Sequence, residues 1–492
     1  MKDRIIYNFI IAFFVILFVR LFYIYQKYDV KITLQNKQIR REILDCNGEV
    51  LAFTKQTVSL HKNTTMIDSK EIALIQSALQ IKVNPNKFWI KRHLTDKELY
   101  KIKKLKLHSI GITNDHKRVY THPDSLSHII GYCDANLNGK AGIELALNDK
   151  IQTIPIELTI DIRLQNRLFN IVKEIYEEFN SENASGILID IETGYIKAIV
   201  SYPSPNSKDP KTFLVKQNQN YHVFPVEMGS ILKLHNAAMC LDNETVDLTS
   251  IVDATGTLRI ADYEITDFFA KNSKMTFLES IRYSSNVATG RIALQVGKEV
   301  QQKFFKTIGF FDTIEWMPKH FAKPMIPKIW KQSTVITASY GYGIGLTMMH
   351  VVQGLMRILT GVSRNITLFP NYEQNEQIIL KNKTIEDIKI AMRFIIENSY
   401  RSIDIKGYEI GGKTGTANMC ENGRYIEGKN RVSYLGAFPM KRPKYVFLIQ
   451  TTNPKHDKLK YGRYAVAANV LTTKVKEIIQ EIASIENIAP TS

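Results

Sequence analysis

Three short stretches, far apart in the chain, carry side chains that together could attack a carbonyl group. Gly229-Ser230-Ile231-Leu232-Lys233 sets a hydroxyl three residues ahead of an amine. An apolar run with Leu234, Ala237, Ala238 and Leu241 follows, which predicts that Ser230 opens a helix and that Lys233 lies one turn on, on the same face. There an uncharged lysine amine takes the proton from the hydroxyl as its oxygen attacks. Model lysine titrates near 10.4, so a base working near neutrality needs a downward shift of roughly three units, about 4 kcal/mol. Burial, the positive end of a helix and a second ammonium all push that way.

The second stretch, Tyr283-Ser284-Ser285-Asn286, offers a hydroxyl and an amide. Ser284 is expected to relay a proton between Lys233 and a leaving nitrogen, and Asn286 to donate to a substrate amide and steady the lysine. The third, Gly411-Gly412-Lys413-Thr414-Gly415-Thr416-Ala417, brings the second ammonium on what reads as an edge strand beside the serine. Its glycines let backbone approach a ligand closely. Lys413 is expected to attract a terminal carboxylate that Thr414 and Thr416 help to hold. The N–H groups of Ser230 and Thr416 are the expected oxyanion hole, roughly 3 to 4 kcal/mol per donor. Each motif alone is weak, since Ser59-Leu60-His61-Lys62 also spells Ser-x-x-Lys and Ser181-Glu182-Asn183 and Ser204-Pro205-Asn206 spell Ser-x-Asn. Their joint order, with a single glycine-flanked Lys-Thr-Gly, is what carries weight.

In that order the three stretches resemble the active site of penicillin-recognising serine transpeptidases. From Arg41 to about Pro454 the chain is similar to a class B, monofunctional penicillin-binding protein, and within that class to the septal FtsI type. The resemblance rests further on Glu227-Met228-Gly229-Ser230, Ile281-Arg282-Tyr283-Ser284-Ser285-Asn286-Val287, Tyr340-Gly341-Tyr342-Gly343-Ile344-Gly345-Leu346 and Tyr434-Leu435-Gly436-Ala437-Phe438-Pro439. It implies a D,D-transpeptidase that is acylated by the penultimate D-alanine of a peptidoglycan stem peptide, releases the terminal D-alanine, and passes the acyl group to an amine on a neighbouring strand. It also implies β-lactam acylation of Ser230, partnership with an FtsW-type glycosyltransferase and other divisome proteins, and no cofactor. Ile231-Leu232 stands where the family usually has threonine-phenylalanine, and Cys46 where it has an arginine, so a pedestal ion pair is expected to be missing. The elongation-type class B transpeptidase and the D,D-carboxypeptidase share such a site; a non-catalytic divisome scaffold or a β-lactam sensor shares the fold without turnover.

Several elements must position these groups. Ile5 to Tyr25 is almost entirely apolar, and about 21 helical residues rise about 31 Å, enough for a single membrane crossing. No small-residue cleavage site follows it, so the anchor is expected to be retained. Lys27, Lys31, Lys37, Arg40 and Arg41 follow the span, yet long domains translocate largely regardless of charge, and the catalytic domain is expected outside the cytoplasmic membrane, at the septum. Arg41 to Ala52 reads as strand, Asn-Gly turn and strand, and resembles the start of the class B pedestal. His128–Tyr132 and Gly142–Glu144 resemble its return segment. Asp161 is a candidate N-cap for a helix with Leu164, Leu168, Ile171, Val172, Ile175 and Phe179 on one face. A hairpin at 186–200, strands at 433–439 and 445–451 and a helix after Tyr464 complete an α+β architecture: an antiparallel sheet flanked by helices, the serine β-lactamase-like penicillin-binding fold. The expected divisions are a cytoplasmic tail and transmembrane anchor (1–26), a pedestal or dimerisation domain (27–156), a transpeptidase domain (157–485) and a C-terminal tail (486–492).

Composition bounds the alternatives. The 492 residues are 44% hydrophobic with a formal charge of +17, yet no nucleic-acid motif accompanies the charge. Lys101, Lys103, Lys104 and Lys106 read as a solvated face. Cys46, Cys133, Cys240 and Cys420 lack metal or disulfide spacing and read as small buried thiols. His61, His128, His222, His235 and His350 show no metal-ligand spacing and read as structural or surface residues.

Overall fold

The computed structural model describes residues 13–20, 39–64, 67–149, 154–260, 263–268, 271–370, 374, 376–421, 423–455 and 466–490. Residues 1–40 and 41–492 are two separate units. In the first, residues 13–20 are helical and exposed; no helix among the described residues is long and apolar enough to cross a membrane, and most of the anchor expected at Ile5–Tyr25 lies outside them.

In the second unit, β1 (Ile43–Leu44) turns through Asp45–Glu49 into β2 (Val50–Lys62). Asp45 Oδ1 accepts the amide hydrogens of Asn47 and Glu49 at 2.7 and 2.9 Å, and Gly48 takes a φ of +81°, the left-handed conformation an Asn-Gly turn requires. Helix α1 (Ser69–Leu79), β3 (Trp89–Leu94), helix α2 (Asp96–Lys104) and β4 (Ile110–Tyr120) follow. Strands β3 and β4 both pair antiparallel with β2, and β5 (Ile156–Glu157) pairs parallel with β1. Helix α2 starts on a Thr95–Glu98 capping box and buries Ile102, while Lys101, Lys103, Lys104 and Lys106 stay in solvent as expected.

The expected return segment packs beside β4. Arg118 Nε donates to Glu144 Oε1 at 2.6 Å, with both side chains almost wholly buried, a pedestal ion pair that does not involve position 46. At Cys46 itself, Lys197 Nζ donates to the thiol sulfur at 3.1 Å.

Helix α3 (Ile162–Glu178) is capped by Asp161, which accepts from the Arg163 amide. The strands β6 (Asn183–Asp190) and β7 (Ile196–Tyr202) form the expected hairpin. Helices α4 (Lys233–Asp242), α5 (Phe277–Tyr283), α6 (Asn286–Val296), α7 (Met348–Thr360) and α8 (Asn382–Ser399) precede β8 (Gly411–Glu421), β9 (Arg424–Phe438), β10 (Tyr445–Thr452) and helix α9 (Thr472–Ile485). The five strands run β8-β9-β10-β6-β7, every ladder antiparallel.

Side chains of a strand alternate between faces. Leu188, Ala198, Tyr434 and Phe447 therefore pack with Leu164, Leu168, Val172 and Ile479 of α3 and α9, whereas Ile187, Ile189, Leu435 and Leu448 pack with α4 and α7. The sheet is thus buried on both faces, and Lys413 lies on its terminal strand.

Two expectations need correction or refinement. Only Cys240 is a buried thiol; Cys46 and Cys420 are exposed, because they fall on a turn and a hairpin rather than in the core, Cys133 is half-buried with its sulfur on Glu144, and none of the four is in a disulfide. His222, His235 and His350 are fully buried, and burial depresses the first two to about 3 and about 4, which makes them neutral core residues.

Breaking a buried ion pair strands its partner's charge, at a cost of about 3 to 5 kcal/mol, while replacing both partners is far milder. Arg118→Leu and Glu144→Leu are each expected to lower the urea midpoint sharply, and the double variant to recover much of the loss. Equal additive losses in all three would show that the pair is not coupled.

Candidate active site

Helix α4 begins at Lys233, three residues later than the apolar pattern predicts for Ser230. Gly229–Leu232 is a 3₁₀ turn instead. In that geometry side chains three apart eclipse, so Ser230 and Lys233 stack directly, with Nζ 3.1 Å from Oγ. The turn is tightened from two sides by backbone. A Cβ on Gly341, whose φ is +91°, would lie 2.1 Å from the Gly229 oxygen; one on Gly415 would lie 2.8 Å from Ile231 Cγ2 and 3.0 Å from its nitrogen. The Lys-Thr-Gly strand can touch the serine turn because neither position has a side chain. Ile231 and Leu232, the unusual pair between nucleophile and lysine, are both buried and fill the space beneath.

Lys233 is 2% exposed, on a helix whose residues from Lys233 to Leu241 are all buried. Its Nζ stands 2.5 Å from the Ser284 carbonyl oxygen, 2.7 Å from Asn286 Oδ1 and 3.1 Å from Ser284 Oγ. Ser284 reaches it from the end of α5 in the left-handed region (φ +59°), a strained conformation for a non-glycine residue that turns both its oxygens toward one amine. Ser285 then caps α6, on whose first turn Asn286 sits.

Asp267 fixes this junction: its carboxylate accepts from Ser285 Oγ at 2.6 Å and from the amides of Asn286 and Val287 at 2.5 and 3.0 Å. Asn286 Nδ2 donates to the Thr266 carbonyl at 2.9 Å, so one of the two hydrogens expected to serve a substrate amide is engaged within the protein.

Burial holds the Lys233 amine well below the ordinary lysine range; the Lys413 ammonium adds to the effect and Asp267 opposes it. Lys413 is itself 3% exposed, and burial pushes it down to about 8. Its Nζ donates to the Thr414 carbonyl at 3.0 Å. Lys413 thus meets Lys233 through charge, whereas Ser230, Ser284 and Asn286 meet it by direct contact. Thr414 Oγ1 lies 2.8 Å from Tyr400 Oη, and Thr416 Oγ1 accepts from the Ala467 amide at 3.4 Å. Strand alternation sets these two hydroxyls on one face of β8, opposite Lys413 and Gly415.

Asp267, Gly341 and Tyr400 are the site residues that sequence reasoning missed. Nothing local marks Asp267, 18 residues ahead of Ser285, or Tyr400. Gly341 was visible in the Tyr-Gly-Tyr-Gly stretch, but its contact is with a segment more than a hundred residues away. Among the described residues no cluster of His, Cys, Asp and Glu could hold a metal ion.

The profile of the penicillin binding protein transpeptidase domain matches residues 184–476, and that of the penicillin-binding protein dimerisation domain matches residues 36–155. A probable peptidoglycan D,D-transpeptidase FtsI from Caulobacter vibrioides is 26% identical over 476 residues, covering 90% of this chain and 81% of its own. Stage V sporulation protein D from Bacillus subtilis is 22% identical over 516 residues, covering 90% and 78%. The crystal structure of penicillin binding protein 3 from Mycobacterium tuberculosis, complexed with aztreonam, superposes with a TM-score of 0.74 at 17% identity, over 92% of this chain and 97% of that one. With the transpeptidase profile spanning more than half its length, the chain belongs to the penicillin-binding protein transpeptidase family.

Proposed function

We propose that the protein is a peptidoglycan D,D-transpeptidase working through an acyl-enzyme on Ser230, and that β-lactams inhibit it by acylating the same oxygen. One observation carries this reading: a buried amine, Lys233, in contact with the hydroxyl of Ser230 and with two oxygens that can only accept. The Ser284 carbonyl and Asn286 Oδ1 take the two hydrogens of the neutral amine, which leaves its lone pair for the Ser230 proton. Ser230 Oγ then bonds to the carbonyl carbon of the penultimate D-alanine. The N–H groups of Ser230 and Thr416 meet the developing oxyanion. As the C–N bond breaks, the proton passes from Lys233 through Ser284 Oγ to the leaving nitrogen, and D-alanine departs. An amine of a second stem peptide attacks the ester, gives up its proton along the same route, and restores Ser230. Lys413 attracts the substrate's terminal carboxylate, which approaches along the Gly415 backbone; the Thr414 and Thr416 hydroxyls expected to help hold it are turned to the other face of β8, toward Tyr400 and the Ala467 amide. Asp267 has its oxygens committed to Ser285, Asn286 and Val287, so it does not serve as a deacylating base.

The division into anchor (1–26), pedestal (27–156), transpeptidase domain (157–485) and tail (486–492) belongs to the same proposal. So do the extracytoplasmic placement of the catalytic domain, its work at the septum, and partnership with an FtsW-type glycosyltransferase. The relatives named FtsI support the septal role. Depletion in the source cells is expected to produce filaments; round cells would point to elongation instead.

Fluorescent penicillin is expected to label the wild type and not Ser230→Ala, since removing a nucleophilic serine costs on the order of 10⁶ in rate in a hydrolase triad. Equal labelling of the two would remove the assignment. Acylation should depend on pH in two directions. Only the neutral Lys233 accepts a proton, so the rate rises as pH climbs through its depressed pKa; above about 8 Lys413 loses the charge that attracts the carboxylate, and the rate falls. Lys413→Arg, which stays charged to about 12.5, is expected to carry the alkaline limb upward. An unmoved limb would assign it to another group.

A further inference from the structure

Forming the ester is half of the reaction; a second peptide must then reach it. In that step the acceptor nitrogen bonds to the ester carbonyl carbon, the C–O bond to Ser230 breaks, and the proton given up by the amine returns through Ser284 Oγ and Lys233 to Ser230 Oγ. This is the release of D-alanine run backwards with another amine, so the acceptor nitrogen stands where the leaving nitrogen stood, within reach of Ser284 Oγ. The rest of the acceptor is larger than D-alanine. It cannot lie along β8, which the donor occupies, and so passes out over the wall made by Ser284–Asn286.

Two cations line that wall. Lys271 Nζ lies 4.7 Å from the centre of the Tyr283 ring and the Arg282 guanidinium carbon 4.6 Å from it, so both stand against the residue that precedes Ser284. They arrive from different segments. Arg282 belongs to α5, whereas Lys271 follows Asp267, whose carboxylate fixes Ser285 and Asn286. Neither meets a carboxylate among the described residues. Glu279, the one acid on α5, commits its carboxylate to the capping box with Thr276. Arg282 donates to neutral oxygens only: Ser399 Oγ at 3.1 Å, the Asn398 carbonyl at 2.8 Å and Tyr283 Oη at 3.1 Å. Capping the end of α8 accounts for those bonds. It does not account for Lys271, which is exposed and has no hydrogen bond or ion pair among the described residues.

The pair also stands toward the end of β8 from which D-alanine departs. Asn398 and Ser399, which Arg282 holds, run directly into Tyr400, and the Tyr400 hydroxyl lies 2.8 Å from Thr414 Oγ1, next to Lys413. An entering amine takes the same way in that the leaving amine takes out.

We propose that Lys271 and Arg282 form the entry for the acceptor strand, holding the C-terminal carboxylate of the acceptor stem peptide while its amine reaches Ser284 Oγ. The inference rests on the transpeptidase reading and deepens it, adding a charge requirement on the second substrate that acylation does not share. Exposed cations of this kind select between partners more than they bind tightly, so their effect is on the choice of acceptor.

Full-length protein in detergent is given a donor without a free amine, Nα,Nε-diacetyl-lysyl-D-alanyl-D-alanine, and as acceptor the stem tetrapeptide of the source cells' own wall, which ends in a single D-alanine, with either a C-terminal carboxylate or a C-terminal amide. The ratio of joined to hydrolysed donor is read at limiting acceptor. The wild type is expected to favour the carboxylate form about threefold, the scale of an exposed ion pair. Lys271→Gln and Arg282→Gln should each remove most of that preference and Lys271→Glu should reverse it, while the Lys271 variants label with fluorescent penicillin at the wild-type rate. Each preference is taken within one protein, so a general loss of activity cancels. A wild type indifferent to the acceptor's charge, or a preference that survives both Lys271 variants, overturns this inference and leaves the transpeptidase reading standing; slowed labelling of the Lys271 variants overturns it too, by placing the lysine in acylation. A wild type that does not label, or that labels and joins neither acceptor, removes both.

Discussion

The structure turns on placing one amine where an ammonium is costly. Lys233 begins a helix buried from its own position to Leu241, and an isolated charge there would cost several kcal/mol against water. Oxygens from a second element, Ser284 and Asn286, make the position tenable for a neutral amine without supplying a carboxylate that would fix the proton on it. The one acid with influence, Asp267, is a step removed, and its hydrogen bonds go to the α5–α6 junction. A direct Asp–Lys contact would favour the charged lysine and disable it as a base. The arrangement therefore keeps the acid close enough to order the loop and too committed to hold the amine's proton.

Bringing the second ammonium near the first has a steric condition as well as an electrostatic one. The strand with Lys413 must lie against the serine turn at backbone contact, and the Cβ distances at Gly341 and Gly415 show how little room is left. The 3₁₀ turn follows from the same crowding: it is narrower than an α-turn and eclipses Ser230 with Lys233. Local strain at Ser284, in the left-handed region, completes the site. These costs are carried by a sheet buried on both faces, which packs the terminal strand rigidly enough to hold them.

Much of this was legible from the sequence. The hairpin at 186–200, the Asp161 cap, the strands at 433–439 and 445–451, and the glycine-marked edge strand follow from periodicity and turn chemistry, which act over a few residues. The catalytic set was legible because spacing of three on a helix or tight turn has one geometric outcome. The start of α4 was not, because a 3₁₀ turn and the first turn of an α-helix have the same apolar pattern. Nor were the exposed thiols at Cys46 and Cys420, whose type predicts burial but whose turn and hairpin positions decide against it.

The sequence by itself determined which groups could react, in what order along the chain, and that Lys413 would stand on an edge strand, because side-chain chemistry, spacing and turn preference are local. Only the tertiary structure decided that Lys233 is buried enough to lose its proton, that Asp267 secures the loop carrying Asn286, and that Arg282 joins α5 to the end of α8. Those outcomes depend on desolvation and on contacts between segments separated by tens to hundreds of residues, and no local rule contains either.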